Sequence, residues 1–348
     1  MNDYPSIKNV YRNAFLCGAA VAPRWLFDGA SADVVSENFS SITCENEMKP
    51  EAVLDYEKTL ALNDDTRVCV HLDRAEKVLD FARDHGIRVR AHTLLWHNQT
   101  PRWFFTEGYS MAEDAKIVGR EKLLLRLESF IREEMALVNA RYPGLVYAWD
   151  VVNEAIEVDD GNPNGFRSHR SVWYAVLGES FVESAFTFAR RYALPGQKLF
   201  YNDYSCCDRK KMACILPLVR SLKEKGLIDG VGMQMHIQMD WPSREDFREC
   251  LDIYGKLGLT LHLTEMDIKT NDNSEEGQKA LGERYREIFE EIVSFESRSG
   301  NQIESVTFWG LSDAHTWLSK PDAPCYPLLF DENLRPNPAY FGAIAPAM

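Results

Sequence analysis

The 348-residue chain contains no apolar run near the ~18 residues that a membrane-spanning helix requires. It has no surplus of positive charge either: 39 basic side chains stand against 53 acidic ones, a net charge of −14. That balance disfavours a nucleic-acid or anionic-membrane partner and fits a soluble protein acting on a neutral substrate. There is no Cys-x-x-Cys pair. The eight cysteines are scattered, with Cys206 and Cys207 adjacent, so reduced thiols are expected rather than a disulfide framework. No Pro/Ser-rich spacer or low-complexity tract interrupts the sequence, and one domain over residues 1–348 with no appended binding module is the expectation. The opening Met1–Val10 lacks the basic segment and the roughly 7 to 15 apolar residues of a secretory signal, so a cytoplasmic location is expected. Without secretion, the glycosylation patterns at Asn38 and Asn98 carry no weight.

What is present is a rhythm. Eight short apolar runs recur: Phe15 to Val21, Ser41 to Glu45, Ile87 to Trp96, Leu145 to Asn153, Lys198 to Asp203, Gly230 to His236, Thr260 to Asp267 and Ser305 to Leu311. Amphipathic stretches such as Leu72 to His85, Glu121 to Tyr142 and Gly282 to Phe295 lie between them. Strand alternating with helix across the whole length predicts an α/β fold with a parallel sheet, and eight repeats predict a single closed (β/α)8 TIM barrel.

Almost every run ends in polar or aromatic residues. Glu45 and Asn46 end the second, with Lys49 just beyond, and His92 and Trp96 share one face of the third. Asn153 and Glu154 end the fourth, Asn202, Asp203 and Tyr204 the fifth. Gln234 and His236 sit two apart on the sixth, Glu265 and Asp267 two apart on the seventh, and Trp309 ends the eighth. The C-terminal rim of a barrel is where such enzymes keep their active sites. Strand ends are often polar because loops begin there, but that accounts poorly for buried Lys, Gln, His and Glu together. In Trp149–Ala155, an aromatic and β-branched strand runs into Asn153 and Glu154. Neighbours on a regular strand point to opposite faces, so the strand must end there for both side chains to serve one site.

Seven segments carry a resemblance. They are Thr-Cys-Glu-Asn-Glu-Met-Lys-Pro-Glu (43–51), Arg-Ala-His-Thr-Leu-Leu-Trp-His-Asn-Gln-Thr-Pro (90–101), Trp-Asp-Val-Val-Asn-Glu-Ala (149–155), Tyr-Asn-Asp-Tyr (201–204), Gln-Met-His (234–236), Leu-Thr-Glu-Met-Asp-Ile (263–268) and Phe-Trp-Gly-Leu-Ser-Asp (308–313). In this order and spacing the chain, from about residue 10 to its end, resembles a glycoside hydrolase family 10 endo-β-1,4-xylanase. The resemblance implies that Glu154 is the general acid/base and Glu265 the nucleophile, with no metal or organic cofactor. It implies that Asn46, Lys49, His92, Trp96, Asn153, Gln234, His236, Trp309 and Trp317 line the sugar subsites on the non-reducing side, and that Glu45 lies near the second glycone sugar. The substrate implied is xylan or imported xylo-oligosaccharide. Two positions depart from the family pattern: Met235 stands where a small residue is usual, and Leu318 follows Trp317 where an arginine is common.

The chemistry needs these residue types. Cleavage with retention requires a carboxylate to attack the anomeric carbon and a carboxylic acid, about 5 to 5.5 Å away, to protonate the leaving oxygen. Repulsion from an ionised Glu265 should keep Glu154 protonated, and a hydrogen bond from His236 should keep Glu265 charged. Asn153 would donate to the 2-hydroxyl of the sugar being cleaved, Lys49 and His92 to the 3-hydroxyl and its neighbours. Trp96, Trp309 and Trp317 offer flat apolar walls with an N–H at one edge, and close walls would favour a pentose over a hexose. Three other readings compete: a different or exo-acting barrel β-glycanase, a metal-dependent barrel enzyme with His92, His236, Glu265 and Asp267 as ligands, and a non-catalytic sugar-binding barrel. The metal reading lacks His-x-His or His-x-x-x-His spacing and leaves Lys49 and three tryptophans unexplained. The sugar-binding reading would usually have lost one carboxylate.

Overall fold

The computed structural model describes residues 4–26 and 29–348; the first three residues of the Met1–Val10 stretch lie outside the described part. Eight parallel strands form the centre: β1 (Leu16–Val21), β2 (Ser41–Cys44), β3 (Arg88–Trp96), β4 (Val146–Asn153), β5 (Lys198–Asp203), β6 (Gly230–Met233), β7 (Thr260–Lys269) and β8 (Ile303–Phe308). Each pairs with the next in sequence, and β8 pairs with both β7 and β1, so the sheet closes on itself. One helix of the outer layer follows each strand: Ala30–Asn38, Glu76–Asp84, Arg120–Arg141, Ser180–Tyr192, Arg209–Glu224, Arg244–Gly255, Glu275–Ser299 and Pro338–Ile344. This is the expected (β/α)8 TIM barrel.

The local causes are readable. All eight residues of β4 are buried, as a strand covered on one side by helices and filled on the other by barrel side chains must be. Glu76–Asp84 buries Val78, Leu79 and Ala82 along one stripe and exposes its charged face. The Arg209–Glu224 helix starts where Asp208 accepts from the Lys211 N–H, and Arg244–Gly255 where Ser243 accepts from the Asp246 N–H.

Two expected strands are placed differently. β8 begins at Ile303 and ends at Phe308 instead of running to Leu311, because Leu16 to Ala19 of β1 pair with Ser305 to Phe308 and Gly310, at φ 137°, then turns the chain away. The sixth run breaks in two: Gly230–Met233 pairs with β5 and β7, while His236–Gln238 pairs with the end of β7 alone. Between those pairings, Thr264, Glu265 and Met266 of β7 face only Gln234 and Met235. An extra residue in a strand bends it and re-aims the side chains there, and in β7 it falls within Thr264–Met266, the stretch that holds Glu265. A similar extra residue lies in β3 between His92 and Leu95, so the simple four-residue spacing of His92 and Trp96 does not describe their geometry.

Inside the barrel, Arg90 and Asp150 are fully buried and joined by two hydrogen bonds, and Asp150 Oδ2 also meets His92 Nδ1 at 2.9 Å. Room for the guanidinium comes from Gly232, where a Cβ would lie 2.4 Å from Asn202 Oδ1 and 2.8 Å from an Arg90 nitrogen. Replacing Arg90 with leucine leaves a buried aspartate without its main counter-charge. The expected cost is about 3–5 kcal/mol, read from guanidinium unfolding. An unchanged midpoint would show that the pair does not support the barrel floor.

Candidate active site

β4 delivers Asn153 and Glu154 to the barrel rim. The strand ends at Asn153, and Glu154 adopts φ 54°, in the left-handed region that costs a non-glycine residue about 1–3 kcal/mol. That single backbone change answers the geometric demand in the sequence: both neighbouring side chains face one cavity. The Glu154 N–H is fixed to the Asn202 carbonyl at 2.9 Å.

The cavity has a volume of about 430 Å3 and contains both Glu154 and Glu265. Each carboxylate is gripped at both oxygens. Trp96 Nε1 donates to Glu154 Oε2 at 3.0 Å, and Gln234 Nε2 to Glu154 Oε1 at 3.2 Å. On Glu265, Oε1 accepts from Asn202 Nδ2 at 2.7 Å and Oε2 meets His236 Nε2 at 3.2 Å. Asn153 Oδ1 accepts from both Asn202 (2.9 Å) and Gln234 (3.0 Å), so a run of three amides links the two acids.

The environments push the two carboxyls apart. Burial is the main reason Glu154 holds its proton above the usual carboxylate range, followed by the negative charges of Asp203 and Glu265; the Trp96 and Gln234 hydrogen bonds oppose it. The sequence argument named Glu265 alone, so burial and Asp203 are additions from the structure. For Glu265, burial acts against ionisation but is outweighed by the His236 hydrogen bond, the nearby His92 and His236 imidazoles and the Asn202 amide, which bring it to about 2. Burial likewise opposes charge on His236, yet Asp267 and Glu265 raise it to about 10. His236 is therefore an imidazolium that donates Nδ1–H to Asp267, at 2.9 Å, and Nε2–H to Glu265. The four groups of the metal-centred reading are engaged in this way: His92 with Asp150, and His236 with both Glu265 and Asp267.

The remaining wall is polar below and aromatic above. Lys49, 5% exposed, donates to Asn46 Oδ1 at 2.9 Å and Gln99 Oε1 at 3.0 Å, and its ammonium lies 4.8 Å from the Trp96 ring centre. Glu45 Oε2 is buried without a hydrogen-bond partner, and its carboxyl is raised by burial first. Trp309 stands edge-on to His92 at 5.4 Å. Trp317, 54% exposed, donates Nε1–H to Asp267 at 2.9 Å and packs on His236 at 5.0 Å. Of the two departures noted in the sequence, Met235 is buried beneath the site and its carbonyl accepts from Asp267 N–H, while Leu318 N–H caps onto Thr316.

All twelve residues to which the family resemblance gives a catalytic or sugar-binding place line this one cavity: Glu45, Asn46, Lys49, His92, Trp96, Asn153, Glu154, Gln234, His236, Glu265, Trp309 and Trp317. Gln99, Tyr204 and Ser205 line it as well and were given no role in the sequence reading. Asn202, named in the sequence as a polar end of the fifth run but given no role, orients Glu265 and Asn153 from just behind. Asn202 and Tyr204 stand in the quoted fifth-strand segment and Gln99 in the third, so their positions were signalled; Ser205 carried no signal.

Comparison with known proteins points to one family. The model of glycosyl hydrolase family 10 matches residues 6–346. An endo-1,4-beta-xylanase B of Butyrivibrio fibrisolvens is 42% identical over 99% of this chain and 53% of its own length, and an endo-1,4-beta-xylanase of Geobacillus stearothermophilus is 37% identical over 98% of each. The chain spans between about a third and a half of the length of several other curated relatives it matches. Among solved structures, a Clostridium thermocellum endo-1,4-beta-D-xylanase in complex with xylohexaose superposes with a TM-score of 0.90 at 34% identity, covering 99% of this chain and 68% of that one. An intracellular xylanase of Thermoanaerobacterium saccharolyticum superposes with a TM-score of 0.84 at 33% identity, covering 99% of each. With a closed barrel, two oppositely tuned carboxyls at its rim and a family match over nearly its whole length, the chain belongs to glycosyl hydrolase family 10.

Proposed function

We propose that the chain is a retaining endo-1,4-β-xylanase that hydrolyses the β-1,4 bonds of xylan or of imported xylo-oligosaccharides. The observation that carries this reading is the pair of buried carboxyls in one cavity, Glu154 favouring its proton and Glu265 refusing one. Glu265 attacks the anomeric carbon while Glu154 protonates the departing glycosidic oxygen. Glu154, having given its proton to the leaving group, stays a carboxylate because the glycosyl ester has removed the Glu265 charge, and it accepts a proton from the water that cleaves the ester. Asn153, Lys49 and His92 hold the hydroxyls of the sugar being cleaved. Trp96, Trp309 and Trp317 wall it in, which disfavours the extra CH2OH of a hexose.

Binding of xylohexaose, xylotriose and xylotetraose by similar solved proteins supports the substrate class. A reducing, cytoplasmic setting is supported by the eight free thiols and by the intracellular relative. Among the described residues no helix is long and apolar enough to cross a membrane. Incubation with xylohexaose should give shorter xylo-oligosaccharides from internal cuts, with little action on cellohexaose. Full activity on cellohexaose and none on xylohexaose would overturn the substrate assignment, and release of single end units alone would replace endo with exo action.

The charge state of Glu265 gives a pH prediction. Its folded-state carboxyl titrates near 2, so protonation of the nucleophile should limit kcat/KM only in strong acid. Replacing His236 with glutamine removes the strongest support for the carboxylate and leaves burial opposing it. The acid limb should then move upward, toward and past the ordinary glutamate range. An acid limb that stays in place would contradict the assignment of His236 as the group that holds Glu265 ionised.

A further inference from the structure

Two charges remain once the cavity is described. Asp203, the last residue of β5, is fully buried, and Lys211, in the first turn of the helix that follows, is 2% exposed. Lys211 Nζ lies 2.8 Å from Asp203 Oδ1. Taking two such charges out of water is unfavourable, and an apolar pair would fill the same space without that penalty. Neither side chain belongs to the cavity wall.

Their contacts lead to Glu154. Asp203 Oδ2 accepts from the Ile156 N–H at 3.4 Å and from the Tyr201 hydroxyl, and Oδ1 from the Tyr204 N–H at 2.9 Å. Ile156 is two residues beyond Glu154, and the Glu154 N–H itself is bound to Asn202, the neighbour of Asp203. The tip of β5 therefore grips the chain on both sides of the left-handed residue. Lys211 also places its ammonium over the Tyr204 ring, 2.9 Å from the centre. The Tyr204 hydroxyl accepts from Arg167 at 2.9 Å, and Arg167 Nε donates to the Glu154 carbonyl at 3.2 Å.

We propose that the Asp203–Lys211 pair is a positioning device for Glu154: the aspartate anchors the chain leaving β4 and holds a negative charge against the segment that carries Glu154, and the lysine limits how much of that charge is felt. The inference rests on the reading of Glu154 as acid/base. Asp203 stands ahead of Glu265 among the charges that keep Glu154 protonated. The Glu265 charge disappears when the glycosyl ester forms, whereas the Asp203 charge persists through both steps. Glu154 must be an acid in the first step and a base in the second, so a constant charge that was too strong would block the second. Lys211 supplies the counterweight.

The other charges facing Glu154 are Glu265 from β7, Lys49 from the loop after β2 and Arg167 from the loop after β4. Around Asp203 the further titratable groups are Tyr201, Tyr204, Cys206 and Tyr254, each kept neutral chiefly by burial. The cation paired with Asp203 is thus Lys211.

The test is the pH profile of kcat/KM on xylohexaose for the parent, Asp203→Asn and Lys211→Gln, with thermal unfolding to establish that each variant is folded. Asp203→Asn removes the negative charge, so the alkaline limb should move down by about one pH unit. Lys211→Gln leaves Asp203 held by three donors and without a cation, so the limb should move up. A purely structural pair would alter the height of both profiles without separating their limbs in opposite directions. Limbs that coincide with the parent, or that shift the same way, would overturn the proposal, and if one variant fails to fold the direction of the other decides. A parent inactive on xylohexaose would instead overturn the functional reading itself.

Discussion

Replacing Glu265 with alanine is expected to lower kcat/KM on xylohexaose by at least about four orders of magnitude, because the group that forms the new bond is gone and water held in its place is a poor substitute. The barrel should survive. His236 keeps its bond to Asp267, and Asn202 keeps its bond to Asn153, so the polar wall loses one member without leaving a lone charge. Thermal unfolding close to that of the parent would establish this. The vacated space lies beside the Asn202 amide and the charged His236, an environment that attracts a small anion. Added azide or formate should therefore attack from the same face and return part of the activity, with a β-linked substrate giving an α-configured azide product. Wild-type turnover in Glu265→Ala would remove the assignment of this residue as nucleophile.

Replacing Glu154 with alanine should act differently on different leaving groups. For xylohexaose the leaving alkoxide needs a proton, and loss of the acid should cost about 10²–10⁴ in rate. An aryl xylobioside with a nitrophenolate leaving group needs no such help, so its first step should proceed nearly as before while hydrolysis of the ester, now without a base, becomes limiting. Pre-steady-state measurement should then show a burst of phenolate followed by slow turnover. Equal losses on both substrates with no burst would indicate that Glu154 has a structural rather than a proton-transfer role. The alkaline limb seen with the parent should also vanish in the variant, since the group whose ionisation defines it is absent.

The barrel was legible because its strands are short, apolar and separated by amphipathic helices, and β5 was delimited to the residue at Lys198–Asp203. The errors fall where pairing, rather than composition, decides. Ile303 and Glu304 fall outside the eighth run read from the sequence, yet Ile303 pairs with Leu261 of β7 and β8 begins there. Gly230 to His236 read as one strand, but the extra residue of β7 near Glu265 breaks its pairing at Gln234 and Met235. Such an insertion leaves no mark in a single sequence. Most of the site was visible because polar or aromatic groups fall at or near the ends of apolar runs; Trp317, beyond the eighth run, was reached only through the family resemblance. The orienting role of Asn202 escaped because its partners, Glu265 and Asn153, lie on other strands. The weight of Asp203 on Glu154 escaped for the same reason: sequence spacing shows which groups reach the rim, and not which charge lies behind which carboxyl. The loop from Val158 to His169 also became clear only in three dimensions, where Asp160 accepts from the Ser168 and His169 N–H groups and closes it.

The division of labour between the two acids can be read from one covalent bond. A 2-deoxy-2-fluoro-xylobioside with an activated leaving group should load the enzyme quickly and release it slowly, because fluorine at C2 destabilises the positive charge of both transition states while the good leaving group rescues only the first. Peptide mass mapping of the protein stopped at this stage is predicted to find a single glycosyl adduct on Glu265. An adduct on Glu154, or no adduct in an enzyme that is consuming the reagent, would contradict the account.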